Sequence, residues 1–291
     1  MERAEFNSTA LEWDPSQKRF DDRNFRDVTF SPMDLGSLYG ATVVERLRTF
    51  GGQILDWELH WERFRLGCEV LRIAIPLSSE SFLESLQRLL NANAAWVASE
   101  KDVSIVVIAT PGNPEYGLGN CTLMMHCLPI PWRRLAEWYR SGTSLIRSSY
   151  RTGAGTSWPS TIKVRNRLAY YLADRDAEER SPGALGLVST PQGYVGDTSV
   201  ANLLMIDPKG DWISPTKETV LIGTTLQRSA SLLAKHGIAI QYRDIEWGEL
   251  TSARELILVG NTGCVWHVAD IDGQPKGDSA PCPESGPECK R

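Results

Sequence analysis

Four segments of this sequence carry residues whose types could do organic chemistry. Lys163 lies in Thr161-Ile162-Lys163-Val164-Arg165-Asn166-Arg167-Leu168, after a Gly/Ser/Pro loop over 152–160, and is flanked by apolar Ile162 and Val164. Partial burial there disfavours the ammonium and leaves an amine able to attack a carbonyl and form a Schiff base. Most lysines are surface charge, so the residue alone says little. Arg63 stands in the first turns of an amphipathic stretch. A guanidinium in that place can fork onto phosphate oxygens, whereas most helix arginines are simply solvated. Asp197 stands between strand-like stretches among small residues. It is either an Asx-turn residue or a carboxylate held inside to face a cationic ring nitrogen. Gly223, Thr224 and Thr225 open a helix. The first amides and the dipole of a helix suit an anion, although a Ser/Thr N-cap is an ordinary feature.

The elements that must position these residues follow from periodicity. Ala41 to Phe50 reads as a strand with Gly51-Gly52 as its turn, and from Glu58 the residues Trp61, Phe64, Cys68 and Leu71 recur at helical spacing. Ser81 and Glu84 fit a capping box for a second helix, followed by strands over 103–109 and 121–128. Pro129-Ile130-Pro131 reads as a linker. Beyond it the pattern predicts a strand over 144–148 and a helix from Lys163 to Arg180 with Leu168, Tyr171 and Leu172 on one face. Strands over 184–188, 194–197 and 202–206 follow, then a helix over 225–236 stopped by Gly237 and strands over 255–259 and 264–268. Residues 1–25 read as a polar, irregular surface arm, and 276–291 as a disordered tail.

Composition limits the function classes. Hydrophobic residues make up 42% of the 291 and the net charge is −5, which supports a folded core and argues against a general nucleic-acid or anionic-membrane binder. There is no apolar run of transmembrane length and no basic-then-apolar leader pattern, so a cytoplasmic enzyme is expected. The six cysteines lack any CxxC spacing and read as reduced thiols. Cys121, His126 and Cys127 lie on a strand pattern without a second ligand pair, so no metal site is expected.

In their order along the chain, these segments resemble the class IV aminotransferases, the family of branched-chain and D-amino-acid aminotransferases and of 4-amino-4-deoxychorismate lyase. The likeness runs from about Ser31 to about Gly273 and includes Glu255 to Thr262 leading into Val265-Trp266-His267-Val268. The resemblance implies an α/β fold of two domains. A small N-terminal α/β domain (1–128) and a linker (129–132) would precede a larger C-terminal domain (133–275), with pyridoxal 5'-phosphate in the cleft. It implies a homodimer in which the neighbouring subunit closes the substrate pocket. It makes Lys163 the Schiff-base lysine and proton shuttle, Arg63 the phosphate arginine, and Gly223, Thr224 and Thr225 phosphate contacts. Asn261 would be a further phosphate contact, and Asp197 would stand where the family generally has glutamate, opposite the pyridine nitrogen. A carboxylate there keeps the ring protonated and so an electron sink.

Some positions depart from the family pattern. Thr110-Pro111-Gly112 lacks the arginine that relatives often place before this glycine, and His267 stands where proline is frequent. Asn166-Arg167-Leu168 occupies the stretch where a tyrosine often lies near the cofactor, and it looks like the lyase version of the motif, whereas Tyr39-Gly40-Ala41-Thr42 looks like the branched-chain transaminases. Three functions are therefore carried forward. They are amino transfer between an amino acid and a 2-oxo acid, release of pyruvate and p-aminobenzoate from 4-amino-4-deoxychorismate, and a non-catalytic binding role.

Overall fold

The computed structural model describes residues 8–117 and 119–276. They cluster into two compact units, one comprising the chain up to Ile130 together with Thr161–Asn166, the other Pro131–Ser160 together with the chain from Arg167 onward.

In the first unit β1 (Thr9–Asp14) and β2 (Arg19–Asn24) form a hairpin, followed by α1 (Leu35–Tyr39), β3 (Val43–Phe50), β4 (Gln53–Ile54), α2 (Trp57–Val70), α3 (Ser79–Ala92), α4 (Ala94–Glu100), β5 (Val103–Thr110) and β6 (Thr122–Pro129). The antiparallel sheet runs β2-β1-β6-β5-β3-β4. Along β3 the alternation of a strand sends Val43, Glu45 and Leu47 to one face and Val44, Arg46 and Arg48 to the other. Val43 and Leu47 join Trp61, Phe64 and Cys68 of α2 and Phe82, Leu86 and Leu89 of α3 in the main core. Val44 packs with Val106, Ile108 and Met124 on the opposite face. Both faces of β5 are covered, so all eight of its residues are buried and its sequence is apolar apart from Ser104 and Thr110. A Cβ at Gly67 would lie 2.9 Å from a Val43 methyl, so the absence of a side chain lets α2 approach β3.

Three expectations change here. Residues 9–24 are a paired hairpin rather than an irregular arm. Ala10 and Leu11 are fully buried, and β1 covers the edge of β6. The α3 box closes one turn earlier, with the Ser78 side chain accepting from Ser81 N while Ser81 Oγ accepts from Ser78 N. The helix α4 has no counterpart among the elements expected from periodicity.

The second unit holds α5 (Trp132–Ser141), β7 (Thr143–Arg151), α6 (Leu168–Arg180), β8 (Leu185–Ser189), β9 (Val195–Thr198), β10 (Asn202–Ile206), β11 (Trp212–Ser214), α7 (Thr224–Lys235), β12 (Ile240–Tyr242), α8 (Trp247–Ser252), β13 (Glu255–Gly260), β14 (Cys264–Ile271) and β15 (Gln274–Pro275). Its mixed sheet runs β12-β11-β10-β13-β14-β7-β8-β9, with β15 beside β14. The unforeseen α5 is anchored by Trp138 stacked on Trp266 at 4.8 Å. The buried face of α6 also differs from expectation. Leu168 and Tyr171 are 66% and 62% exposed, and the helix packs through Ala173 and Ala177. The cause is close approach, since a Cβ at Gly186 of β8 would meet the Ala173 backbone at 2.5 Å. Only small residues fit that seam.

Of the tail expected over 276–291, Lys276 is buried and donates from Nζ to Thr251 O at 2.6 Å; the remainder lies outside the described residues. The thiols of Cys68, Cys121 and Cys127 are free and buried in the first unit, and Cys264 is a half-buried thiol of the second. Burial pushes Cys121 up to about 11 and Cys127 up to about 12. Among the described residues no helix is long and apolar enough to cross a membrane, and no cluster of His, Cys, Asp or Glu could hold a metal ion.

Candidate active site

Lys163 does not begin a helix. Val44 N donates to Lys163 O at 3.0 Å and Arg165 N donates to Thr42 O at 3.0 Å, bridging Val164 antiparallel to Val43. This pairing draws Thr161–Asn166 out of the C-terminal half of the chain and into the first unit. α6 starts only at Leu168. The bridge sets the lysine's direction. Val164 lies opposite Val43, so Lys163, opposite Val44, shares the face of Val44 and Arg46.

Behind that strand lies a buried ionic network. Glu45 is 0% exposed, accepts from Arg63 Nε at 2.7 Å and Arg63 Nη2 at 2.8 Å, and pairs with His60 Nδ1 at 2.7 Å. Burial opposes ionisation of Glu45, but the Arg63 charge and the hydrogen bonds from Arg63 and His60 outweigh it and hold the carboxyl at about 2. For His60, burial holds the imidazole below its ordinary value, Glu45 pulls upward, and the charges of Arg63 and Lys163 push down again. The imidazole is therefore neutral and donates Nδ1–H to the carboxylate. Arg63, read from the sequence as a phosphate ligand, thus has its fork closed on Glu45, and any phosphate contact falls to its remaining nitrogen. Sequence reasoning missed Glu45 and His60. The available signal was an acid at a core-facing position of an apolar strand, with His60 one helical turn before Arg63.

In the second unit Asp197 lies on β9 and is only 6% exposed. Tyr170 Oη donates to Asp197 Oδ1 at 2.6 Å. The Arg167 guanidinium covers the Tyr170 ring at 4.2 Å and donates to Ser199 O at 2.5 Å. Tyr170 escapes sequence reasoning because Asn166-Arg167-Leu168 fills the stretch where the family places a tyrosine, and Tyr170 lies two positions beyond it.

The N-cap of α7 is Gly223, which gives the helix start no capping side chain. Asn202 shapes the turn before it, accepting from Gly223 N at 2.9 Å and donating to Leu221 O at 2.7 Å. A Cβ at Gly223 would lie 2.7 Å from Asn202 Oδ1. Thr224 is buried and Thr225 half-buried at this start. Asn261 lies in the turn between β13 and β14, half-buried. Gly260, just before it, is pressed so close to Val200 O that a Cβ would sit at 2.4 Å. The donor set of this unit fits pyridoxal phosphate. A buried carboxylate suits a protonated ring nitrogen, and a 12-residue helix start without a capping side chain suits a phosphate.

The family model for class IV amino-transferases matches residues 42–271, and the chain belongs to that family of enzymes. A Methanocaldococcus jannaschii protein, named provisionally as a branched-chain-amino-acid aminotransferase, is 25% identical over 254 residues, covering 86% of this chain and 85% of that one. The D-alanine aminotransferase of Bacillus licheniformis is 23% identical over 255 residues, 86% of each chain. In structure, the Escherichia coli branched-chain amino acid aminotransferase gives a TM-score of 0.81 at 19% identity, covering 98% of this chain and 92% of that one. The mixed α/β architecture with two sheets is therefore that of the class IV aminotransferases.

Proposed function

We propose that the chain is a pyridoxal-phosphate aminotransferase that moves an amino group between a branched-chain or D-type amino acid and a 2-oxo acid, with Lys163 as its catalytic amine. The observation that carries this reading is the docking of Lys163 on β3, which fixes its backbone and sets its side chain on a defined face. A structurally similar hypothetical aminotransferase from Mycobacterium tuberculosis, in its PLP-bound form, supports the choice of cofactor, with a TM-score of 0.75 at 19% identity over 92% of each chain. When bound, the cofactor supplies an aldehyde carbon and a cationic ring that accepts electrons as the substrate's α-hydrogen leaves. Lys163 Nζ would hold the cofactor, and its amine would carry the substrate's α-proton away and return it. Asp197 holds a negative charge for the ring nitrogen. Gly223, Thr224 and Thr225 at the α7 start would be phosphate donors together with Asn261, and the remaining Arg63 nitrogen would be a further candidate donor. Glu45 and His60 keep the Arg63 guanidinium fixed.

The sequence relatives support both branched-chain and D-alanine chemistry, so the test is a screen of L- and D-amino acids. Purified holoenzyme should lose its visible-edge absorption band on mixing with L-leucine or D-alanine, and Lys163→Ala should have no such band to lose. Release of p-aminobenzoate from 4-amino-4-deoxychorismate without an oxo acid, with neither amino acid reacting, would overturn the reading in favour of the lyase. A homodimeric working form and a cytoplasmic location belong to the same proposal, and light scattering on the eluted protein tests the first.

A further inference from the structure

We infer that Tyr170 and Arg167 form a two-point clamp on the Asp197 strand, and that Tyr170 is the residue that positions the Asp197 carboxylate for its cationic partner. The inference rests on the proposed role of Asp197. Its geometry lies within the second unit alone. At one point Tyr170 Oη donates to Asp197 Oδ1 at 2.6 Å, in the range of a short hydroxyl–carboxylate bond. At the other, Arg167 Nη2 donates to Ser199 O at 2.5 Å, two residues further along the same segment. The two clamping residues are themselves locked together, since the Arg167 guanidinium lies over the Tyr170 ring at 4.2 Å. The first turn of α6 therefore grips the segment by a side chain at Asp197 and by the backbone at Ser199.

Two consequences follow for the carboxylate. The bond to Oδ1 restrains the rotation of the carboxylate. The bond also draws electron density from the carboxylate, making it a weaker base than an aspartate in the same place without the phenol. A carboxylate that accepts such a bond is favoured in its charged form over one that lacks it. Burial above all, with the Asp197 charge added, keeps the phenol protonated well beyond neutral pH, so it remains a donor; Asp197 and Arg167 are the charged groups acting on it.

The test uses Tyr170→Phe, which keeps the ring and removes the donor. Carbon-13 NMR of the apo-protein, with the Asp197 signal assigned by its loss in Asp197→Asn, should show Asp197 titrating about one pH unit or more higher in Tyr170→Phe than in the parent. Pyridoxal phosphate should bind the variant about tenfold more weakly, the effect of losing one charge-assisted bond. An unchanged Asp197 midpoint together with unchanged cofactor affinity would overturn the clamp. Should Tyr170→Phe not fold, Asp197→Asn supplies the reciprocal measurement. With the charge gone, the ultraviolet titration of the buried phenol should begin at lower pH, and an unmoved titration counts against the inference. Failure of the clamp is distinct from failure of the enzyme reading. In the first case parent protein still binds the cofactor through Lys163, and in the second it does not bind at all.

Discussion

Glu45 is the residue on which the first unit's electrostatics turn. Its folded-state value of about 2 lies below the ordinary carboxylate range, so its contribution is complete above about pH 5 and is lost as pH falls toward 2. His60, also held below its ordinary value, acts in the same direction, because the unfolded chain takes up a proton near pH 6.5 that the folded chain resists. Acid urea melts should therefore show stability falling from about pH 6 downward, and Glu45→Gln should flatten the part below pH 5. At neutral pH the same variant should cost about 3 kcal/mol, since it leaves the Arg63 charge buried without its counter-charge. At this scale the sequence offers Lys163, Arg63 and Asp197 as candidates because their types match a known chemistry. Glu45, His60 and Tyr170 do not stand out, because each acts through a partner that only folding brings near. Arg63 is eighteen residues from Glu45 and Tyr170 twenty-seven from Asp197.

At the scale of elements, two tight seams decide what can change. On β8, Gly186→Ala would drive a methyl into the Ala173 backbone of α6, a contact with rigid main chain that no rotamer relieves. We expect a loss of about 1–3 kcal/mol in a denaturant melt. At the α7 start, Gly223→Ala would push against Asn202, whose amide is held by two bonds and cannot swing aside. Pyridoxal phosphate affinity should fall by about tenfold in equilibrium titration, with a smaller change in melting temperature. The strands and α2 were readable because their apolar periodicity is strong. The β1–β2 hairpin was not, because Thr9-Ala10-Leu11-Glu12-Trp13-Asp14 carries only a short alternation amid polar neighbours. The face of α6 differs from expectation because Leu168 and Tyr171 point outward while Ala173 and Ala177 pack inward, the reverse of the usual pattern.

For the whole molecule, the proposed cofactor would link binding to folding. If pyridoxal phosphate binds only the native chain, a hundredfold excess over its dissociation constant should add about 2.7 kcal/mol, and stripping it should lower the melting temperature by several degrees in calorimetry. The α/β class was legible because motif spacing spans most of the chain. The return of Thr161–Asn166 to the first unit was not, since backbone pairing between residues 42–44 and 163–165 leaves no trace in side-chain pattern. The buried thiols of Cys68, Cys121 and Cys127 turn that unit into its own stopwatch. A bulky maleimide can reach them only when the six-stranded sheet comes apart, so the pace at which they are alkylated in native buffer times how often the first unit opens.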